Sequence, residues 1–105
     1  MAILTKSQLA ASKTQQITIA DWGGEIIIRP LSGRERQDIA TFAASDAGKQ
    51  APIRMQAMAV AFACVEPAFD SADEVLELSG KGIEEAFQAV IKASGIGDAA
   101  DAVGN

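Results

Sequence analysis

The sequence predicts an α+β fold that is mostly α: an N-terminal β-hairpin followed by a bundle of about four helices. Three observations predict it. First, the β-branched runs Ile17-Thr18-Ile19 and Ile26-Ile27-Ile28 flank Asp21-Trp22-Gly23-Gly24, and an aspartate followed by paired glycines is turn chemistry. Second, three capping boxes, Thr5-Lys6-Ser7-Gln8, Ser32-Gly33-Arg34-Glu35 and Ser71-Ala72-Asp73-Glu74, mark helix starts. Third, Ile83, Ala86, Phe87, Val90 and Ile91 fall at i, i+3, i+4, i+7 and i+8, one face of an α-helix.

In chain order, Thr5 caps a short helix through Ser12 that needs docking to persist. In the hairpin, placing Ala20 opposite Glu25 sets Ile19 against Ile26 and Ile17 against Ile28. The four isoleucines then share one face, and Gln16, Thr18, Ile27 and Arg29 share the other. An isolated hairpin is marginal in water, so this face must lie on helices of its own chain or on another molecule. Pro30 closes the second strand.

Ser32 opens a helix to about Ala44 with a narrow stripe of Ile39, Phe42 and Ala43, and Ser45 to Gln50 reads as a loop. Pro52 opens the next helix, where its missing N–H costs nothing. From Ala57 to Val65 this helix has no polar side chain. Two readings stand: it is the central helix of the domain, or a partner covers one of its faces. Pro67 breaks it, and Ser71 starts a short helix carrying Val75, Leu76 and Leu78. Ser79-Gly80-Lys81-Gly82 is a flexible turn before the amphipathic last helix, which Gly95 ends. Residues 1–95 form a single domain, and the alanine-, glycine- and aspartate-rich 96–105 a disordered tail.

The totals exclude several classes. A chain of 105 residues makes one small domain, burying roughly two-thirds of its unfolded surface. It is 49% hydrophobic, but much of that is alanine, with four Phe, one Trp and no Tyr, so the core is thin in large side chains. A net charge of -5 disfavours nucleic acid and anionic lipid as partners. No uninterrupted apolar run is long enough to span a membrane. The N-terminus lacks a signal-peptide layout, and a single cysteine suits a reducing cytoplasm. There is no histidine, which removes the commonest general acid–base and metal ligand. The expectation is a non-enzyme without cofactor or metal.

Individual motifs point the same way. Ser79-Gly80-Lys81-Gly82 lacks the spacing of a phosphate-binding loop, and the acids from Asp70 to Glu77 lack the alternating ligands and mid-loop glycine of a calcium loop. Cys64, without a basic neighbour in sequence, reads as buried filler. Met55 and Met58 share a helix face with Phe62 and suit either core packing or an adaptable partner surface. Trp22 either folds back over its turn or stands exposed as a binding hot spot. The candidate partner-binding residues are therefore Ile17, Ile19, Trp22, Ile26, Ile28, Met55, Met58 and Phe62.

The order of parts resembles a known family. A short N-terminal segment, Trp22-Gly23-Gly24 at a hairpin tip, and Arg29-Pro30-Leu31-Ser32-Gly33-Arg34-Glu35-Arg36 entering a helical remainder are similar to the tail assembly chaperones of long-tailed phages and prophages. Phe69-Asp70-Ser71-Ala72-Asp73-Glu74-Val75 resembles that family's later helix start, although Glu66-Pro67-Ala68 stands where many members have an Asp and Gly turn. The resemblance runs from about Thr5 to Gly95. It implies a non-catalytic protein of the bacterial host cytoplasm, absent from the mature virion. Its partners would be the tape measure protein, which it keeps soluble, and the tail tube protein, whose polymerisation it promotes; a homo-oligomer is also expected. It further implies a longer product made by a backward ribosomal slip near the gene's end, with which Val103-Gly104-Asn105 is compatible. The alternatives are a head–tail or tail component retained in the virion, or a small regulatory module.

Overall fold

In a computed structural model, which describes residues 3–7 and 13–96, the chain is α+β and mostly α. The hairpin is β1 (Gln15–Ile19), a single 3₁₀ turn (Ala20–Trp22) and β2 (Gly24–Ile28). Helices α1 (Gly33–Ala44), α2 (Asp46–Gln50) and α3 (Pro52–Ala63) follow. Then come a third strand, β3 (Cys64–Glu66), and helices α4 (Ala72–Leu76) and α5 (Gly80–Ala93). Lys6 and Ser7 are helical; the rest of the helix expected through Ser12 lies outside the described residues, as does the expected tail beyond Ile96.

The hairpin forms, in a register different from the expected one. Ile17 pairs with Ile26 and Ile19 with Gly24, so every pair is displaced by two residues. The cause is the tip. The chain leaves the strand at Ala20 rather than Asp21, winds once, and Gly23 at φ 74° closes the turn by donating to the carbonyls of Ile19 and Ala20, each at 3.1 Å. A left-handed residue is needed there, and glycine adopts it without penalty. Because side chains alternate with period two, a two-residue displacement leaves the isoleucines on their common face.

The sheet also has a strand that the sequence did not announce. Helix α3 stops at Ala63, two residues earlier than the apolar run, and Cys64–Glu66 pairs antiparallel with β2, giving the order β1-β2-β3. Val65, read as helical, is exposed on this strand. The third strand supplies part of the support that a lone hairpin lacks. The rest comes from packing: Ile19, Ile26 and Ile28 join Val60, Val75, Ile83 and Val90 in a single buried core.

Helix α3 is the central helix, touched by α1, α2, α4 and α5. That is the first of the two readings of its apolar sequence, although Met55, Met58 and Phe62 on it stay half-buried. Its own buried residues are Ala57, Ala59, Val60 and Ala63. Cys64 continues this line; burial pushes its thiol up to about 11, against a smaller opposite pull from a hydrogen bond with the Glu66 backbone. At pH 8 roughly one such thiol in a thousand is ionised, and only the thiolate reacts. Native protein is therefore expected to react with iodoacetamide about a hundredfold more slowly than urea-unfolded protein, a ratio that mass spectrometry of quenched time points reads directly.

The helix starts are capped as expected at Ser32 but not at Ser71. Ser32 Oγ accepts from the Glu35 amide (3.1 Å) and Glu35 Oε1 accepts from the Ser32 amide (2.9 Å), a complete capping box. At Ser71 no side-chain cap forms, and the Glu74 carboxylate accepts from the Asp70 amide instead of the Ser71 amide that a capping box would use. Two expected loops are helical. Ser45, with its Oγ accepting from Gly48, caps α2, and Ser79 caps α5 through Gly82. Both serines offer the short side-chain acceptor that an N-cap requires, and in each case the glycines were mistaken for the punctuation of a loop. Gly95, at φ 74°, ends α5 as expected.

Candidate functional site

Two junctions hold this fold together, and each is built on one of the sequence motifs. At the first, Arg29 leaves the end of β2 and lays its guanidinium against Glu35 in α1, bidentate, at 2.8 and 2.7 Å. The same guanidinium donates to the Phe62 carbonyl at the end of α3 (2.8 Å) and to the Pro30 carbonyl (3.1 Å). The Arg29 amide donates to Ala63 (2.9 Å), and the Leu31 amide to Ser94 Oγ after α5 (2.9 Å). Four elements thus meet on Arg29-Pro30-Leu31-Ser32.

The Glu35 carboxylate is held below its usual range chiefly by the Arg29 hydrogen bonds, with help from Ser32 and against a smaller desolvation cost; Arg29 is raised by the same contact. A carboxylate depressed in the folded state stabilises it fully above the ordinary carboxyl range, and that stabilisation is lost as pH falls through the folded value. Glu35→Gln is expected to cost about 1 kcal/mol at pH 7 and to flatten the loss of stability below about pH 5. Urea unfolding of both proteins at pH 7 and pH 3 measures this.

At the second junction the hairpin tip is latched onto α5. The amides of Ala20 and Asp21 donate to the two oxygens of Glu85 (3.3 and 3.2 Å), and the Ser79 hydroxyl donates to Asp21. The half-buried Trp22 ring lies over Gly82 so closely that a Cβ there would stand 2.0 Å from Nε1. Its Nε1 is covered and has no acceptor among the described residues. Neither reading of Trp22 describes this geometry: the ring is not exposed, and it lies against Gly82 of α5 instead of folding back over its own turn.

The eight candidate partner residues do not form one patch. Ile19 and Ile28 are fully buried and Ile26 is 5% exposed, so the structure corrects the expectation that these three meet a partner: α5 and α3 already cover their face. Ile17 is half-buried at the outer edge of β1. Met55, Met58 and Phe62 are half-buried on α3. Among these, Met55 lines an apolar groove of about 340 Å³ between α1, α3 and α5, together with Leu31, Ile39, Phe87, Ile91 and Ile96. Sequence reasoning missed these five. Ile39, Phe87 and Ile91 had all been seen as members of apolar stripes, but a stripe does not reveal whether a neighbouring helix closes over it.

Arg36 stands on the groove wall, which is otherwise apolar. Such a concave, largely apolar trough suits a side-chain face of a partner helix more than a polar small molecule. Among the described residues no three acidic or thiol groups come together as a metal site. No described helix is long and apolar enough to cross a membrane. Compared with protein-family models, with curated proteins and with solved structures, the chain matches none.

Proposed function

We propose that the protein is a tail assembly chaperone of a long-tailed phage or prophage, a non-catalytic protein that binds and solubilises the tape measure protein and promotes polymerisation of tail tube subunits. One observation carries the reading. The two motifs behind the resemblance, Trp22-Gly23-Gly24 and Arg29 to Arg36, are the residues that make the two junctions of the fold. Residues that build junctions are constrained by the whole fold, so their joint recurrence speaks for a shared folded unit rather than for scattered letters.

The groove between α1, α3 and α5 supports the same reading. It offers an apolar trough with an adaptable methionine at Met55, which suits the apolar face of a long amphipathic helix such as a tape measure protein presents. In this role the protein acts in the host cytoplasm and is left out of the finished particle.

Co-expression with a tape measure protein tests the proposal. The expected result is that the chain raises the soluble fraction of that protein, co-purifies with it, and is missing from purified particles. Retention in particles would point instead to a structural tail component, and no effect on solubility would remove the chaperone role.

A further inference from the structure

The two edges of the sheet are treated differently. The β3 edge is three residues long, carries Glu66, is interrupted by a register irregularity between Ile27 and Ile28, and runs into Pro67. Those are the devices that keep an edge from pairing with other chains. The β1 edge has none of them. Gln15-Gln16-Ile17-Thr18-Ile19 is five residues in regular register, without charge, proline or bulge, and no described strand pairs with its outer side.

Along that edge runs a groove of about 480 Å³, lined by Ile17, Thr18 and Ile19 on one side and by α5 on the other, with no residue of β2 in its wall. On the α5 side it presents Glu84, Glu85 and Gln88, with a single cation, Lys81. Glu85 is engaged with the hairpin tip, whereas Glu84 is exposed and has no hydrogen-bond or ion-pair partner among the described residues. An added strand on β1 would turn alternate side chains into this groove.

A second copy fits poorly. Pairing two β1 strands about a two-fold axis sets the Glu84 and Glu85 rows of the two copies against one another, and each chain brings a net charge of -5. Like charges meeting in a closing groove oppose association. We infer that the β1 edge is a docking site for an extended, basic segment of another protein, which adds as a fourth strand and turns an apolar side chain and a Lys or Arg into the groove. The stem of that basic residue lies along Ile17 and its head reaches Glu84, the arrangement that long cationic side chains favour. This site is separate from the α1–α3–α5 groove, and the inference stands whether or not the chaperone reading holds.

Selection of random twelve-residue peptides on the full-length protein tests it. The expected winners alternate β-branched with polar residues and carry Lys or Arg, and their binding slows amide exchange in residues 15–19. Glu84→Lys is expected to weaken them about fivefold and Gln88→Glu to strengthen them about twofold. A gain from the second variant cannot come from misfolding. The inference is overturned if selected peptides are acidic or helical in pattern, if they ignore both substitutions, or if none emerges. It is overturned equally if the outward amides of β1, those not bonded to β2, are already protected in the free protein, whether as a monomer or as a dimer.

Discussion

Arg29→Ala is expected to destabilise the protein by about 3 kcal/mol, lowering its melting temperature by roughly 15 °C. The magnitude follows from what is left behind. Glu35 has only 16% of its side chain exposed, and without the guanidinium its charge sits in a poorly solvated place with the Ser32 amide as its remaining partner. Phe62, near the C-terminal end of α3, loses a charged donor where the helix dipole is negative. Arg29→Lys is expected to recover less than half of the loss. An ammonium provides one point of charge where the site uses a planar fork to reach Glu35 and the Phe62 carbonyl together. Removing both partners, Arg29→Met with Glu35→Leu, is expected to cost less than Arg29→Ala alone, because no charge is stranded. Chemical denaturation of the four proteins gives the comparison.

Gly82→Ala is expected to cost about 2 kcal/mol, against the intrinsic preference of helices. Alanine within a helix is favoured over glycine by up to about 1 kcal/mol. Here the new Cβ would stand 2.0, 2.3 and 2.6 Å from three atoms of the Trp22 indole. The ring cannot simply swing away, since the tip that bears it is tied to Glu85 and Ser79. Overpacking of this kind costs roughly 1–3 kcal/mol and outweighs the helical gain. With Trp22→Ala in the background the obstacle is gone and the sign is expected to reverse, Gly82→Ala then stabilising by about half a kcal/mol. Equal effects in both backgrounds, measured by urea titration, would show that the ring does not rest on Gly82.

These two sites mark what the sequence makes legible. The capping box at Ser32, the proline start at Pro52, the amphipathic face of α5 and the stop at Gly95 are local devices, and each appears where it was expected. What escaped is what depends on partners distant in sequence. Cys64–Glu66 reads as the end of an apolar helix until β2 is present to pair with it. The hairpin register depended on a tip that winds one residue earlier, which Glu85 in α5 helps to hold. Ser71 is a local exception: it had the letters of a capping box, but Glu74 accepts from the Asp70 amide instead. For the candidate site the same limit applies. Met55 was identified from its face of α3, but the opposite walls at Ile39 and Phe87 come from helices whose separation no periodicity encodes.

The alanines of the core have a consequence for the cost of becoming ordered. Of the thirteen buried apolar residues, Ala57, Ala59, Ala63 and Ala86 have no side-chain rotamers to lose, whereas a leucine or methionine in each place would surrender roughly 0.5–2 kcal/mol of rotational freedom on folding. Three of the four lie on α3, the helix that α1, α2, α4 and α5 all touch. A chain with four phenylalanines and no tyrosine cannot rely on bulk to hold five helices and a sheet together. It relies on backbones brought near one another by residues that have almost nothing to freeze.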